Sequence, residues 1–335
     1  MKILVTGAAG FVGRNLIDEI SSQKVKIIAV DNFNNLLYSR KIKKANFEHI
    51  SKYKTVKCFN IDVISLPNTQ TFKNFDCIIN LAALPGQQLS WQYINDYTES
   101  NFLTVSALLS RFCANQNTHF IQASTSSVYG KLALPDKDSV PNPDNPYGIT
   151  KLASEQLIRT YRENFRVNYS ILRFFSIYGP YQRPDMGVHK FLQGIILGKP
   201  INIYGNGLQS RALTYIQDAV KVINLTMEKG PQNISFDVSG SKTYSVNEIV
   251  STCELVVGKK AQIKFVASPP GDQVHTKSDC NKLKEIFGLK IETNLEYGLK
   301  QQLNQMIKSD NKIKMLSNQR VMKVFLNLVN LKMYL

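Results

Sequence analysis

The stretch "KILVTGAAGFVGRNLIDEI" (residues 2–20) limits the fold more than any other part of the chain. An apolar run meets a turn with glycines at 7, 10 and 13. Phe11, Val12, Leu16, Ile17 and Ile20 then recur at three- and four-residue spacing, the period of a helix face. Glycines in such a strand–turn–helix let the backbone approach a phosphate, which meets the positive end of the helix. A glycine triad alone occurs in many turns. Here the flanking pattern is the one a dinucleotide site requires, and Asp31 closes the next apolar run, "KIIAVDN" (26–32), 18 residues after Gly13. A carboxylate there accepts hydrogen bonds from a ribose diol and repels a 2′-phosphate, which favours NAD over NADP. Asp62 ends the third run, "TVKCFNID" (55–62), where it can meet the adenine edge or cap a turn.

Downstream, "FDCIINLAA" (75–83) reads as a strand, 97–114 as a helix, "HFIQAS" (119–124) as a strand, 145–164 as a helix and 167–179 as a strand. Strands alternating with helices predict an α/β protein with a doubly wound parallel sheet. The regularity loosens after residue 180. Short strands ("PINIYG", "ISFDVSG", "QIKFV") interleave with helices, which suggests a smaller α/β lobe over 180–308 and a segment near 208–240 that returns to the first domain. Residues 309–335 form a basic amphipathic tail that would dock on the protein itself, at a subunit interface or on an anionic membrane surface.

The net charge of +16 invites a polyanionic partner, but "RKIKK" (40–44) is the one dense basic run. No zinc-finger spacing or RNP-like aromatic pattern accompanies it, so nucleic acid is not expected. Five cysteines (58, 77, 113, 253, 280) without a CxxC read as reduced thiols. With no signal-peptide pattern and no apolar run of 18 residues, the expected location is the cytoplasm. His119, His189 and His275 share no metal spacing and read as surface or packing residues.

Two segments carry chemistry. "YGITK" sets Tyr147 and Lys151 four residues apart, on one helix face, where the ammonium favours the phenolate. "ASTSSVYG" (123–130) ends a strand in three adjacent hydroxyls, Thr125, Ser126 and Ser127, with no carboxylate among them. By itself that could be a polar turn.

The ordered set "TGAAGFVG", "VDNFN", "NLAA", "STSSVYG", "YGITK", "RFFSIYGPYQRPDMG", "SRALTYIQDAV" and "PPGDQVHTKSD" resembles an extended short-chain dehydrogenase/reductase of the NAD-dependent nucleotide-sugar epimerase/dehydratase family, over residues 1–308. "VDNFNN" and "RFFSIYGPYQRPDMG" are most similar to UDP-glucuronate 4-epimerases. The resemblance implies a Rossmann domain over 1–179, a substrate-binding lobe and a homodimer. It implies that NAD lies against Gly7, Gly10, Phe11, Val12, Gly13, Asp31, Asn32, Asp62, Val63, Leu81, Ala82, Ala83, Tyr147 and Lys151. Tyr147 would take the proton of a sugar hydroxyl, with Thr125 steadying the same oxygen and Lys151 supporting the phenolate. Ser126, Ser127, Ser176 and Arg183 would hold a sugar carboxylate, Arg211 the diphosphate, and Asp272 the uridine ribose or a turn. Family dehydratases carry Asp-Glu after the Thr, where this chain has two serines. Two further departures stand out: Arg211–Ala212 replaces the common Arg-Asp pair, and "NLAALPGQQLSW" replaces the Ala-Gly-Val-Arg pattern usual in glucuronate epimerases.

Overall fold

Each apolar run of the N-terminal half becomes a strand. A computed structural model describes residues 1–309 apart from 113–116, 134–139, 272 and 279, together with Ile313. The expectations for Asp272, and for the tail beyond Ser309 apart from Ile313, fall outside these residues. The main sheet comprises β1 (Lys2–Thr6), β2 (Lys26–Val30), β3 (Val56–Phe59), β4 (Cys77–Asn80), β5 (His119–Thr125), β6 (Asn168–Phe174) and β7 (Ser235–Val238). Their order is β7-β6-β5-β4-β1-β2-β3, with every neighbour parallel; Val5, for example, pairs with both Ala29 and Ile79. Strands covered on both faces need no polar alternation, which is why the interiors of β1, β2 and β4 ("ILV", "IIAV" and "CII") are unbroken apolar runs.

Helices α1 (Phe11–Ile20), α2 (Arg40–Ile50), α3 (Thr104–Phe112), α4 (Pro146–Phe165) and α5 (Ile216–Lys229) accompany the sheet. Leu4, Ile28, Ile78, Phe120 and Ile171 from the strands pack with Val105, Leu108 and Leu109 of α3 and Ile158 of α4. The strand order reverses between β1 and β4. In an open parallel sheet the crevice beyond the carboxyl ends of the strands at such a reversal is the expected ligand site.

The segment expected as one helix over 97–114 is divided. A helix over Ile94–Thr98 passes through a π turn, Glu99–Leu103, into α3. The wider turn carries Asn101 inward. Its Oδ1 accepts Leu84 N–H at 2.8 Å, and its Nδ2 donates to Leu84 O and Thr150 Oγ1, both at 3.1 Å. The strand expected over 167–179 is also two. β6 stops at Phe174, and Ser176–Tyr178 pairs with the strand Ser210–Tyr215 of a second sheet.

The chain forms two compact units. The first comprises Met1–Ile177, Gln209–Tyr244 and Ser268–Thr293; the second comprises Tyr178–Leu208, Ser245–Ala267 and Asn294–Leu335. In the first, residues 209–244 supply β7 and α5, and α5 packs on α1. In the second, parallel strands Ile201–Tyr204 and Ile263–Val266 pair, and Ile201, Ile203, Val246 and Val250 make a small core against Phe191. Helices Gly187–Leu197, Val246–Val257 and Leu295–Ser309 complete it. Among the described residues no helix is long and apolar enough to cross a membrane.

Candidate active site

The turn after β1 lies against the turn after β4, at the reversal of strand order. Gly7 has φ +65°, and a Cβ there would stand 2.7 Å from the Leu81 carbonyl and 2.8 Å from Ala82 N. A Cβ on Gly13 would come within 2.4 Å of Gly7 O. Glycine is therefore required by the close approach of backbone to backbone. Gly10 caps α1 without a side chain, and no acid occupies the first helical turn, where Phe11 is buried and Val12 half-buried. An unobstructed, positively polarised helix end of this kind fits a pyrophosphate.

Asp31 is buried just past β2. Its Oδ1 accepts Phe33 N–H at 2.8 Å and its Oδ2 accepts Ala9 N–H at 3.1 Å. Burial raises its pKa; Lys43, with Nζ 3.9 Å from Oδ1, and the two N–H groups oppose that rise. Lys43 belongs to the "RKIKK" run, which the sequence marks only as the one dense basic stretch, with no partner for any of its residues. The signal was there as a basic residue in the helix that follows the acid. Asn32 Nδ2 donates to Asp62 Oδ2 at 2.7 Å, and Asp62 Oδ1 accepts Ile64 N–H at 2.9 Å. Asp62 thus caps the short turn opened by Val63 and is joined to Asn32. Leu81, Ala82 and Ala83 follow β4 directly, with Ala82 N–H donating to Thr6 Oγ1 at 3.2 Å. The glycine turn, the open helix end and the acid at the end of β2 together suit a dinucleotide.

The hydroxyl-rich segment stands at the carboxyl end of β5 and touches the start of α4. A Cβ on Gly148 would meet Ser127 O at 2.5 Å, so α4 begins in contact with the serine turn. Asn145 caps the helix by accepting Gly148 N–H at 2.9 Å. Tyr147 lies in this first turn, buried edge-on to Tyr97 with ring centroids 6.2 Å apart. One turn later Lys151 Nζ donates to Ala123 O at 2.6 Å, two residues before Thr125. Burial pushes the Lys151 ammonium down to about 8, with Glu155 pulling the other way. Thr125, Ser126, Ser127, Tyr147 and Lys151 are thereby brought together.

The hydroxyls have separate partners. Thr125 Oγ1 accepts Ser127 N–H at 3.1 Å, which leaves the threonine proton to donate elsewhere. Ser126 Oγ lies 3.5 Å from Gln273 Oε1, while Gln273 Nε2 donates to Ser126 O and Gly130 O at 3.3 and 2.9 Å. Ser127 Oγ accepts a hydrogen bond from Gln87 Nε2 at 3.0 Å. Neither glutamine was singled out from the sequence, because the contacts join positions 40 and 147 residues apart. Behind the site, Glu155 is fully buried. It accepts Ser124 Oγ–H at 2.6 Å, Arg173 Nη2–H at 2.7 Å and Arg159 Nη2–H at 3.0 Å.

The remaining expected residues are more dispersed. Ser176 is half-buried at the head of its short strand, and Arg211 Nη1 donates to Ser210 O at 3.0 Å. Ala212 is buried with Ala133 and Phe175, an apolar setting that suits its methyl group. Arg183 belongs to the second unit, and its guanidinium makes a two-pronged pair with Asp185 at 3.0 and 2.8 Å. His119 is buried with Nε2 2.9 Å from Ser170 Oγ, and burial lowers its pKa to about 4. Among the described residues no group of three or more side chains could hold a metal ion.

The model of the NAD dependent epimerase/dehydratase family matches residues 3–239, most of the chain. The chain belongs to that family. An uncharacterized UDP-glucose epimerase of Bacillus subtilis is 35% identical over 305 residues, spanning 89% of this chain and 96% of the relative. A UDP-glucuronate 4-epimerase of Thermodesulfobacterium geofontis is 30% identical over 306 residues, spanning 90% and 94%. The crystal structure of a UDP-glucuronic acid 4-epimerase from Bacillus cereus, in complex with UDP-glucuronic acid and NAD, superposes with a TM-score of 0.87. It is 31% identical and covers 94% of this chain and 100% of its own. Family membership accords with the parallel sheet, the glycine turn and the Tyr147–Lys151 pair.

Proposed function

We propose that this protein is a NAD-dependent UDP-sugar 4-epimerase, and that its preferred substrate is UDP-glucuronate, converted to UDP-galacturonate. The observation that carries the chemistry is Tyr147 and Lys151 on one helix face against the Thr125 turn. The similarity to enzymes named as UDP-glucuronate 4-epimerases supports the substrate. When bound, NAD supplies a reversible acceptor for the hydrogen on C4. The protein's own part is proton handling and orientation. Tyr147 removes the proton from the C4 hydroxyl as the 4-keto sugar forms and returns it after the sugar has turned. Thr125 donates to the same oxygen. Lys151 holds its charge beside the phenol while anchored on Ala123 O.

The absence of a carboxylate among residues 125–127 matters for a uronate. Oxidation at C4 makes a β-keto acid, which readily loses carbon dioxide. Hydroxyls and Arg183 bind the carboxylate without offering an acid–base partner for that loss. Arg211 is assigned to the diphosphate and Asp272 to the uridine ribose. The reading also assigns a homodimer in the cytoplasm. Incubating the purified protein with a panel of UDP-sugars and identifying products by chromatography and NMR tests the proposal. UDP-glucuronate and UDP-galacturonate should interconvert without added oxidant. Conversion of UDP-glucose alone would favour a neutral-sugar 4-epimerase, the reading that the Bacillus subtilis relative supports.

A further inference from the structure

The loop after β4 departs from the family pattern at "LPGQQ", and the function above leaves it unused. It places Gln87 at the head of a short helical turn, Gln87–Ser90, where Nε2 donates to Ser127 Oγ at 3.0 Å. Ser127 is buried, and its backbone N–H is already given to Thr125 Oγ1. A serine hydroxyl has one proton and two lone pairs. With a lone pair taken by the Gln87 amide, the Ser127 proton must leave in another direction. Among the described residues no acceptor takes it.

We propose that Gln87 is a positioning residue that makes Ser127 a hydrogen-bond donor, and so selects a UDP-sugar bearing a carboxylate. The inference rests on the epimerase reading and adds to it the residue that sets substrate class. A carboxylate only accepts, and a hydrogen bond to it is roughly twice as strong as one between neutral groups. A hydroxymethyl group gains less from a committed donor, because it also carries a proton that needs its own acceptor. The Ala-Gly-Val-Arg pattern usual in this loop of glucuronate epimerases contains no amide, so in this chain the direction of the Ser127 proton is fixed by Gln87.

The test measures kcat/KM on UDP-glucuronate and on UDP-glucose for the full-length protein and for Gln87→Met and Gln87→Glu. Retained NAD and the melting temperature report folding. Gln87→Met should lose about 2–10-fold on UDP-glucuronate and less than about 2-fold on UDP-glucose. Gln87→Glu, nearly isosteric but an acceptor, should capture the Ser127 proton and lose about 10–100-fold on the uronate. In a Ser127→Ala background the Gln87→Met effect should vanish. Equal losses on both substrates, or a Gln87→Met effect undiminished by Ser127→Ala, would overturn the inference while leaving the epimerase reading intact. A wild-type protein inert toward UDP-glucuronate would instead remove the uronate reading and this inference with it.

Discussion

Lys151 illustrates how burial sets the working range of a side chain. The Lys151 ammonium is pushed down to about 8 by burial, below its ordinary 10.5, with Glu155 limiting the fall. The sign has two consequences. Below about pH 8 the folded protein carries a buried charge at a cost, and that cost is relieved as pH rises from about 8 towards 10.5. Activity moves the opposite way, since a neutral lysine no longer favours the phenolate. The pH profile of kcat/KM should therefore show an alkaline limb near 8, and Lys151→Arg should move that limb upward. A limb unchanged by the arginine would assign the titration to another group. Tyr147→Phe should lower kcat by about 10²–10⁴-fold and leave UDP-sugar affinity nearly unchanged. Steady-state kinetics with isothermal titration separates the two effects.

At the scale of elements, the site depends on one helix and one glycine turn. α4 carries Tyr147, Lys151, Glu155 and Arg159 at four-residue intervals, so a single face holds the phenol, the ammonium and the buried carboxylate behind them. Glu155 anchors that face to β6 through Arg173 and to β5 through Ser124. Removing its charge would leave Arg173 buried without its main partner. Glu155→Gln should cost about 3–5 kcal/mol in urea unfolding, an effect seen in stability before chemistry. In the turn after β1, Gly13→Ala would press a methyl to within 2.4 Å of Gly7 O. The backbone must then shift at the phosphate-binding turn, and the purified variant should retain much less NAD than wild type, measured by absorbance after denaturation. Retention equal to wild type would place the dinucleotide elsewhere.

For the whole molecule, Ser126, Ser127, Ser176 and Arg211 belong to the first unit and Arg183 to the second. If Arg183 binds the sugar acid, Arg183→Ala should lower kcat/KM for UDP-glucuronate by roughly 10–150-fold and for UDP-glucose much less. An equal loss on both would move Arg183 to a group the substrates share, such as the diphosphate. The proposed homodimer predicts that light scattering gives twice the chain mass. The parallel sheet, the glycine turn and the Tyr147–Lys151 face are legible in the amino-acid sequence alone. Each is written in local periodicity or short spacing, which the geometry of strand and helix converts directly into position. It took the folded chain to bring Lys43 to Asp31, Glu155 to Arg173, and Gln87 and Gln273 to the two serines. Those contacts join distant segments through the strand order, and the chemical identity of a lysine, glutamate or glutamine does not reveal which remote group it will meet.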